Sequence, residues 1–338
     1  MKNFKLNSAV IGLGSVGNEH LNFYKKSKNI NKIFICDKFK KIKKIKHKKS
    51  IEITKIEKIF KKKIDVISIS NYDNGHAELV LRGIKKNINL FVEKPLCTSF
   101  DQLDKIYNSL VLHNYKKLLM CNFVLRESNI FNKIIKQVTN GDFGDIFYFE
   151  GDYLYGRLNK ILNGWRGKEK NYSVMLGGGI HLIDIMLRVF NKFPYKVKTA
   201  GNNLVTKNTS FKQNDFSTSL FSFKNGGIAK ITANYGCVHN HQHVLKIYGT
   251  KKTFIYDDLG ARLYNKRDFN KASKKFRLKN IYNGKDCLLK KYIKQLKSSK
   301  NINKDIIMNE INLMSVALFA EQSLKTKNEK KIKLYKKY

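Results

Sequence analysis

Residues 8–17 read Ser-Ala-Val-Ile-Gly-Leu-Gly-Ser-Val-Gly, a short apolar run that leads directly into the pattern Gly-x-Gly-x-x-Gly. A stretch of helical character follows. Between a strand and a helix, Gly12 permits a tight turn, Gly14 lets a pyrophosphate approach the backbone, and Gly17 lets the helix pack closely on the strand. The free N–H groups that open the helix would hold the phosphates. The pattern predicts a dinucleotide site formed by Gly12, Leu13, Gly14, Ser15, Val16 and Gly17.

Apolar runs alternate with helix-length segments throughout the first part of the chain. This alternation is typical of βαβ units around a parallel sheet. We therefore expect a Rossmann domain over residues 1–122. Its predicted strands are Ser8–Ile11, Ile33–Cys36, Val66–Ser70, Leu90–Val92 and Leu118–Cys121.

An acidic residue, Asp37, ends the second of these runs, twenty residues after Gly17. A carboxylate there accepts hydrogen bonds from the adenosine ribose hydroxyls and repels a 2′-phosphate. The spacing favours NAD over NADP as the cofactor. The neighbouring Lys38 weakens that preference.

The pattern changes after residue 122, and we expect a second, α+β domain over residues 123–338. Turn signals such as Asn225-Gly226-Gly227 separate strand-like runs, which predicts a largely antiparallel open sheet. Such a sheet often buries its face against a second copy, so we expect a homo-oligomer. The predicted strands are Asp145–Leu154, Lys196–Leu204, Ser217–Phe223, Ile228–Tyr235, Val244–Tyr248 and Thr253–Tyr256.

The 338 residues carry 67 Lys and Arg against 26 Asp and Glu, a formal net charge of +41. Only eight of the basic residues are arginine, and lysine is spread along the whole chain together with many Asn and Ile. This composition indicates an AT-rich coding sequence, whereas nucleic-acid sites favour clustered arginine. We expect no nucleic-acid partner.

The five cysteines form no C-x-x-C pair, and no apolar run is long enough to cross a membrane. We therefore expect a cytoplasmic protein without a membrane partner.

A lysine follows another predicted strand of the first domain, in Glu93-Lys94-Pro95. Ligands of open parallel sheets bind at the carboxyl ends of the strands, so Lys94 is expected at the cofactor edge. Read alone, a single lysine among 59 is more often an ordinary surface residue.

Taken together, the motifs resemble the glucose–fructose oxidoreductase / inositol dehydrogenase (Gfo/Idh/MocA) family. The resemblance covers most of the chain in the family's order. Glu-Lys-Pro combined with His-x-x-Asp after a glycine cluster is its most specific feature. The matching segments are Gly12–Gly17, Asp37, Ile69–Asn71, Gly75–Glu78, Phe91–Leu96, Asn122–Arg126, Gly141–Ile146, Gly164–Arg166 and Gly177–Asp184.

The resemblance implies hydride transfer between a sugar or polyol carbon and a nicotinamide. Lys94 would contact the reacting hydroxyl, His181 would act as acid/base, and Asp184 would orient the imidazole or bind a substrate hydroxyl. The resemblance also implies cofactor contacts from Asn71, His76, Glu93, Lys94, Trp165 and Arg166.

One position departs from the pattern. Many family members carry an aspartate four residues before the histidine, and here that position is Gly177. Either Lys94 is the base and His181 assists, or Asp184 substitutes for the missing carboxylate.

Three histidines, His239, His241 and His243, alternate as strand residues on one face would. They could bind a metal, but no added carboxylate ligand is evident, and hydride transfer to nicotinamide needs no metal. We expect none.

Tyr153–Arg157 and the run to Arg166 are similar to family members that act on nucleotide-linked sugars for surface polysaccharides. The first hypothesis is therefore an NAD-dependent nucleotide-sugar dehydrogenase. A dehydrogenase of a free sugar or polyol, such as an inositol, is the close alternative. The absent aspartate at Gly177 is the only support for a third hypothesis, a non-catalytic dinucleotide sensor or assembly subunit.

Overall fold

The computed structural model describes residues 5–38, 47–268, 286–298 and 304–338, together with the backbone of 274–275. They form two compact units. The first comprises Met1–Glu127, Tyr282–Met314 and Tyr335–Tyr338, and the second comprises Ser128–Ile281 and Ser315–Leu334. A single boundary at residue 122 therefore differs from this division, because two C-terminal segments return to the first unit.

The N-terminal part alternates strands and helices in chain order. The elements are β1 (Leu6–Ile11), α1 (Ser15–Lys26), β2 (Ile30–Cys36), β3 (Ser50–Glu52), α2 (Ile56–Ile59), β4 (Val66–Ile69), α3 (His76–Lys85), β5 (Asn89–Val92), α4 (Phe100–Leu112) and β6 (Leu119–Cys121).

The rest of the chain is strand-rich at its centre and helical at both ends. The elements are α5 (Asn129–Thr139), β7 (Ile146–Leu154), α6 (Asn159–Leu162), α7 (Trp165–Lys168), α8 (Ile180–Phe190), β8 (Lys196–Asn202), β9 (Phe216–Ser222), β10 (Ile228–Asn234), β11 (Gln242–Gly249), β12 (Thr253–Asp257), β13 (Gly260–Tyr264), β14 (Lys274–Lys275), α9 (Cys287–Ser298), α10 (Lys304–Thr326) and β15 (Lys330–Lys331). A π-turn over Met175–Gly179 leads into α8.

All six strands of the first unit are parallel, in the order β3-β2-β1-β4-β5-β6. The expected Rossmann sheet is confirmed. β3 was not predicted, because its three residues lie in a lysine-rich segment without an apolar run. In this order the chain moves outward through β2 and β3, then returns to the other side of β1 with β4. That reversal creates a crevice at the carboxyl ends of β1 and β4.

The core of the first unit explains why α9 belongs to it. Leu289, Tyr292 and Ile293 lie on one face of this helix, and all three are buried in the cluster that contains Phe91 of β5. The Tyr292 hydroxyl also donates to the Leu118 carbonyl, 2.9 Å away. The period of about 3.6 residues places these apolar positions on the same face of the helix.

The second unit contains a nine-stranded sheet in the order β14-β13-β12-β11-β7-β10-β9-β8-β15. Among the described strands of this sheet, only the β7–β10 pair is parallel, so the expected, largely antiparallel sheet is confirmed. The central strand β7 alternates, burying Phe149, Gly151 and Tyr153 on one face. α8 is almost wholly buried and packs on that face. The opposite face carries Glu150 and its partners.

Candidate functional site

The predicted residues of the first unit lie at one edge of its sheet. Ile11, Ile69, Val92 and Cys121 are in register across β1, β4, β5 and β6. Because the strands are parallel, the residues that follow them emerge at the same edge. These residues are Gly12, Ser70, Glu93 and Asn122, and the turn at Gly12 opens the crevice between β1 and β4.

The glycine turn has the geometry that a bound pyrophosphate needs. Gly12 has φ +91°, and a Cβ there would lie 2.5 Å from the Asn71 nitrogen. A Cβ at Gly17 would lie 1.9 Å from the Gly12 carbonyl oxygen, so only glycine allows α1 to pack this closely on β1. A Cβ at Gly14 would meet nothing within 4 Å. Gly14 therefore borders open space, which a phosphate could occupy.

The start of α1 follows directly on the glycine turn. Gly14 is the N-cap, no side chain caps the helix, and Ser15 and Val16 form its first turn without an acidic residue. The Asn18 side chain instead donates to the carbonyls of Leu13 and Gly14, at 2.8 and 2.9 Å. The Asn18 side chain thus stabilises the turn through two of its carbonyl groups. Backbone N–H groups at the start of a helix suit an anionic group. The residues present fit a dinucleotide.

Asp37 connects the end of β2 to this turn. Its Oδ2 accepts a hydrogen bond from the Leu13 N–H at 2.6 Å. The half-buried carboxylate is therefore held beside the loop. It lies at the strand end where a carboxylate that binds the adenosine ribose is expected. The role of Asp37 in selecting NAD stays a prediction.

His76 is placed differently from its prediction as a cofactor contact. Its side chain is fully buried, and its Nδ1 and Nε2 lie 2.7 and 3.1 Å from the carbonyl oxygens of Pro95 and Asn71. The ring therefore joins the segment after β4 to the one after β5, and burial prevents it from touching a ligand. Asn71 keeps a candidate binding atom, because its buried Oδ1 has no hydrogen-bond partner in the described part of the chain.

Glu93 and Lys94 follow β5 at the same edge. Asn122 donates to Glu93 Oε1 at 2.5 Å, and its amide nitrogen also lies 3.4 Å from His20 Nε2. His20 is buried against Phe91, and burial lowers its pKa to about 4, with Asp286 acting in the opposite direction. Lys94 is half-buried, and its peptide bond to Pro95 is cis. The structure thus brings Lys94, Glu93, Asn71 and the glycine turn to one edge.

The second unit holds a separate cluster of aromatic rings and histidines around His181. The His181 ring stacks on Tyr153 at 6.4 Å between centroids and meets His243 edge-on at 6.2 Å. His241 lies 5.1 Å from His243. His181 and Asp184 are both buried on α8, 6% and 2% exposed.

Arg166 and Trp165 occupy the same unit. The guanidinium lies 4.7 Å from the Trp165 ring centroid and 6.0 Å from the rings of Tyr155 and Tyr172. Its Nε donates to the Tyr172 hydroxyl at 3.0 Å. Three rings therefore hold the cation in place through cation–π contacts.

The three histidines do not share one strand face. β11 begins at Gln242, so His239 lies in the preceding loop, where its Nε2 contacts Asp258 Oδ2 at 3.0 Å. Among the described residues, no three His, Cys, Asp or Glu side chains form a group that could hold a metal ion. Nor does the described chain contain a helix with the length and apolarity needed to span a membrane.

Sequence reasoning missed several residues of both clusters. His20 and Asn122 join the first site only because α1 packs behind β5 and β6 ends beside it. Tyr172 and Tyr235 join the second through contacts across more than sixty residues. The sequence assigns Tyr153 only to the segment Tyr153–Arg157, and the inward alternation of β7 is the signal that places its ring in the second cluster.

Two family models match the chain, "Oxidoreductase family, NAD-binding Rossmann fold" over residues 6–122 and "GFO/IDH/MocA C-terminal domain" over residues 131–255. The chain belongs to the Gfo/Idh/MocA oxidoreductase family. The predicted family is confirmed, and so is NAD as the cofactor of its Rossmann domain.

Similar proteins include sugar and polyol dehydrogenases. The myo-inositol 2-dehydrogenase of Thermotoga maritima is 23% identical over 262 residues, 74% of this chain and 75% of that protein. An uncharacterized oxidoreductase of Schizosaccharomyces pombe is 26% identical over 136 residues, 40% of this chain and only 36% of its own length. A solved levoglucosan dehydrogenase, in complex with NADH and L-sorbose, has a TM-score of 0.80 at 14% identity and covers 98% of this chain and 99% of its own.

Proposed function

We propose that this protein is an NAD-dependent dehydrogenase that oxidises a hydroxyl carbon of a sugar or polyol, or reduces the corresponding ketone. The observation that carries the proposal is the open space above Gly14, at the same sheet edge as Lys94. The relatives include an inositol dehydrogenase and a levoglucosan dehydrogenase, which supports a sugar or polyol substrate.

In this proposal two side chains act on the reacting hydroxyl. Bound NAD supplies the hydride acceptor. Lys94 contacts the reacting hydroxyl and stabilises the oxygen as negative charge develops on it. His181 takes the proton and returns it in the reverse direction, because an imidazole exchanges protons near neutral pH. Asp184, one helical turn away on α8, orients the imidazole or binds a substrate hydroxyl. Trp165 and Arg166 are also proposed as cofactor contacts.

The finer substrate hypothesis is a nucleotide-linked sugar used in surface polysaccharide biosynthesis, in the cytoplasm. Its support is the aromatic segment Tyr153–Arg157, where Arg157 lies 5.8 Å from the Tyr155 ring. Ring and cation together could accept a sugar and an attached phosphate. A free polyol such as an inositol is the alternative, and the similarity to myo-inositol 2-dehydrogenase favours it.

Absorbance at 340 nm tests the reaction directly. Wild-type protein is mixed with NAD and, in turn, myo-inositol, levoglucosan and a set of nucleotide-linked sugars. We expect NADH formation with at least one of them. Lys94→Ala should lower kcat about a hundredfold or more while NADH binding persists. Lys105→Ala is the control, because Lys105 lies on α4 and pairs with Asp101 at 2.8 Å. Normal turnover by Lys94→Ala would refute the catalytic assignment.

The non-catalytic sensor predicts a different result. It would bind NADH and turn over no sugar or polyol of the set, in wild type as well as in Lys94→Ala. The absence of a side chain at Gly177 is the observation that favours this second candidate.

We also propose a homo-oligomer built on the open face of the second sheet. Leu220 and Ile228 are 47% and 41% exposed there, beside the Lys230–Glu150 ion pair at 2.7 Å. Leu220→Asp should lower the molar mass measured by light scattering at micromolar concentration. A monomeric wild-type protein would refute this part.

A further inference from the structure

The glycines that precede α8 leave room for tyrosine side chains. A Cβ at Gly177 would lie 2.0 Å from the Tyr172 hydroxyl oxygen and 3.1 Å from that of Tyr235. At Gly178 it would lie 2.4 Å from the Tyr153 ring and 2.9 Å from the Tyr235 hydroxyl. The volume next to Gly177 is therefore already filled, by phenol groups from elsewhere in the unit.

These hydroxyls form a hydrogen-bonded chain that starts at a fixed charge. The Tyr172 and Tyr235 oxygens are 3.1 Å apart, and Tyr172 accepts from Arg166 Nε at 3.0 Å. A guanidinium only donates, so the direction of that bond is set, and the two hydroxyls share a further proton between them. The rings of Trp165 and Tyr155 hold Arg166 in turn.

The Tyr235 hydroxyl stays protonated, so it supplies no negative charge beside Gly177. Burial raises the pKa of Tyr235 well above its ordinary value, and neighbouring Tyr172 and Tyr153 act in the same direction while Arg166 opposes them. A neutral phenol can hold a neighbour in place by hydrogen bonding and packing, but it cannot accept the substrate proton at neutral pH.

The chain connects to His181 through one ring. Tyr235 packs on Tyr153 at 5.7 Å between centroids, and Tyr153 stacks on His181 at 6.4 Å with 21° between the planes. His243 and His241 meet the Tyr153 ring edge-on, at 5.1 and 5.2 Å between centroids. A change in the hydroxyl pair therefore reaches His181 through the tilt of Tyr153.

We propose that Tyr172 and Tyr235, anchored by Arg166, are positioning residues that fill the space beside Gly177 and set the orientation of His181 through Tyr153. Their place in catalysis rests on the proposed function, in which His181 exchanges the substrate proton. Near this histidine in its unit lie the titratable groups Asp184 on α8, Tyr153 on β7, His243 on β11 and His241 just before β11.

The test follows the His181 ring by NMR in the full-length protein labelled with ¹⁵N-histidine, with His181→Gln used to assign its resonances. Tyr172→Phe and Tyr235→Phe each remove one hydroxyl and keep the ring. We expect each to move the His181 resonances and to shift the midpoint of its titration by about half a pH unit. Tyr148→Phe is the matched control, because Tyr148 lies on β7 and its side chain points to the other sheet face.

Gly177→Ala provides a second variant that retains both hydroxyls. Its methyl group would lie 2.0 Å from the Tyr172 oxygen, so the pair must move, and the same His181 resonances should respond. In hydride transfer, Tyr235→Phe should lower kcat about tenfold, with little change in the KM for NAD. Its pH profile should move with the His181 midpoint.

The outcomes separate the two proposals. Unchanged His181 resonances and titration in all three folded variants would overturn the positioning role, even if the wild type turns over sugars. The proposed function would be refuted if the wild type and the variants all bound NADH but never transferred hydride, while the variants still shifted the His181 resonances. The positioning of His181 would then stand.

Discussion

Replacing His20 by glutamine tests whether burial keeps this histidine neutral inside the first unit. The side chain has no exposed surface, its Nδ1 has no hydrogen-bond partner among the described residues, and its pKa falls from 6.5 to about 4, mainly by burial. In the unfolded chain the same group binds a proton below about pH 6.5. The folded state therefore loses stability as the pH falls through this window.

The magnitude follows from the two pKa values. Each tenfold difference in proton affinity is worth about 1.36 kcal/mol, so a fall from 6.5 to about 4 corresponds to a ceiling of about 3 kcal/mol. Above pH 6.5 His20 is neutral in both the folded and the unfolded state, so it does not lower the free energy of unfolding. As the pH falls from 6.5 to about 4, the unfolded state binds the proton and the folded state does not, so the free energy of unfolding decreases. Between pH 7 and pH 4.5 the wild type should lose about 2.5 kcal/mol through this residue alone.

Urea unfolding followed by circular dichroism at several pH values measures the effect. His20→Gln should change the free energy of unfolding by the same amount at every pH through the loss of packing. It should also remove about 2.5 kcal/mol from the decrease in that free energy between pH 7 and pH 4.5. His113→Gln is the control, because His113 is exposed at the end of α4. It should keep the wild-type slope. If His20→Gln also kept the wild-type slope, the inference that His20 stays neutral in the folded protein would be wrong.

Three further changes test the first unit. Gly17→Ala places a methyl group 1.9 Å from the Gly12 carbonyl oxygen, so it should lower the Tm and abolish NADH binding in a fluorescence titration; binding at wild-type affinity would contradict the packing of α1 on β1. Glu310→Ala removes the partner of Arg126, 2.6 Å away and 1% exposed, and should cost about 3 kcal/mol in urea unfolding, whereas a loss under about 1 kcal/mol would show that the pair is solvated. Asp37→Ser should raise the Kd for NADH about tenfold and bring that for NADPH closer to it, and an unchanged ratio of the two would remove Asp37 from cofactor selection.

Local patterns were sufficient wherever a single element carries the information. The strand, turn and helix around Gly12–Gly17 follow one another in the chain, so their roles could be read from spacing alone. β3 and the return of α9 to the first unit could not be read in this way. The three residues of β3 form a strand because they pair with β2. The sequence of an amphipathic helix such as α9 does not show which hydrophobic core its apolar face packs against.

Individual side chains show the same division. The sequence marks His76 as part of a family motif, but only the fold shows that its ring is buried and that its two nitrogens lie beside carbonyl oxygens. Gly177 looks like the loss of a functional group. In the structure, Tyr172 and Tyr235 occupy that space from outside the motif.

The sequence by itself determined the class of fold, the glycine turn between β1 and α1 and the positions of most strand ends in the first unit, because these depend on spacing within a few neighbouring residues. The tertiary structure alone decided which distant side chains meet, among them His20 with Asn122 and Tyr172 with Tyr235. The physical reason is that burial and hydrogen bonding are set by what packs around a group. Residues far apart in the chain supply that packing.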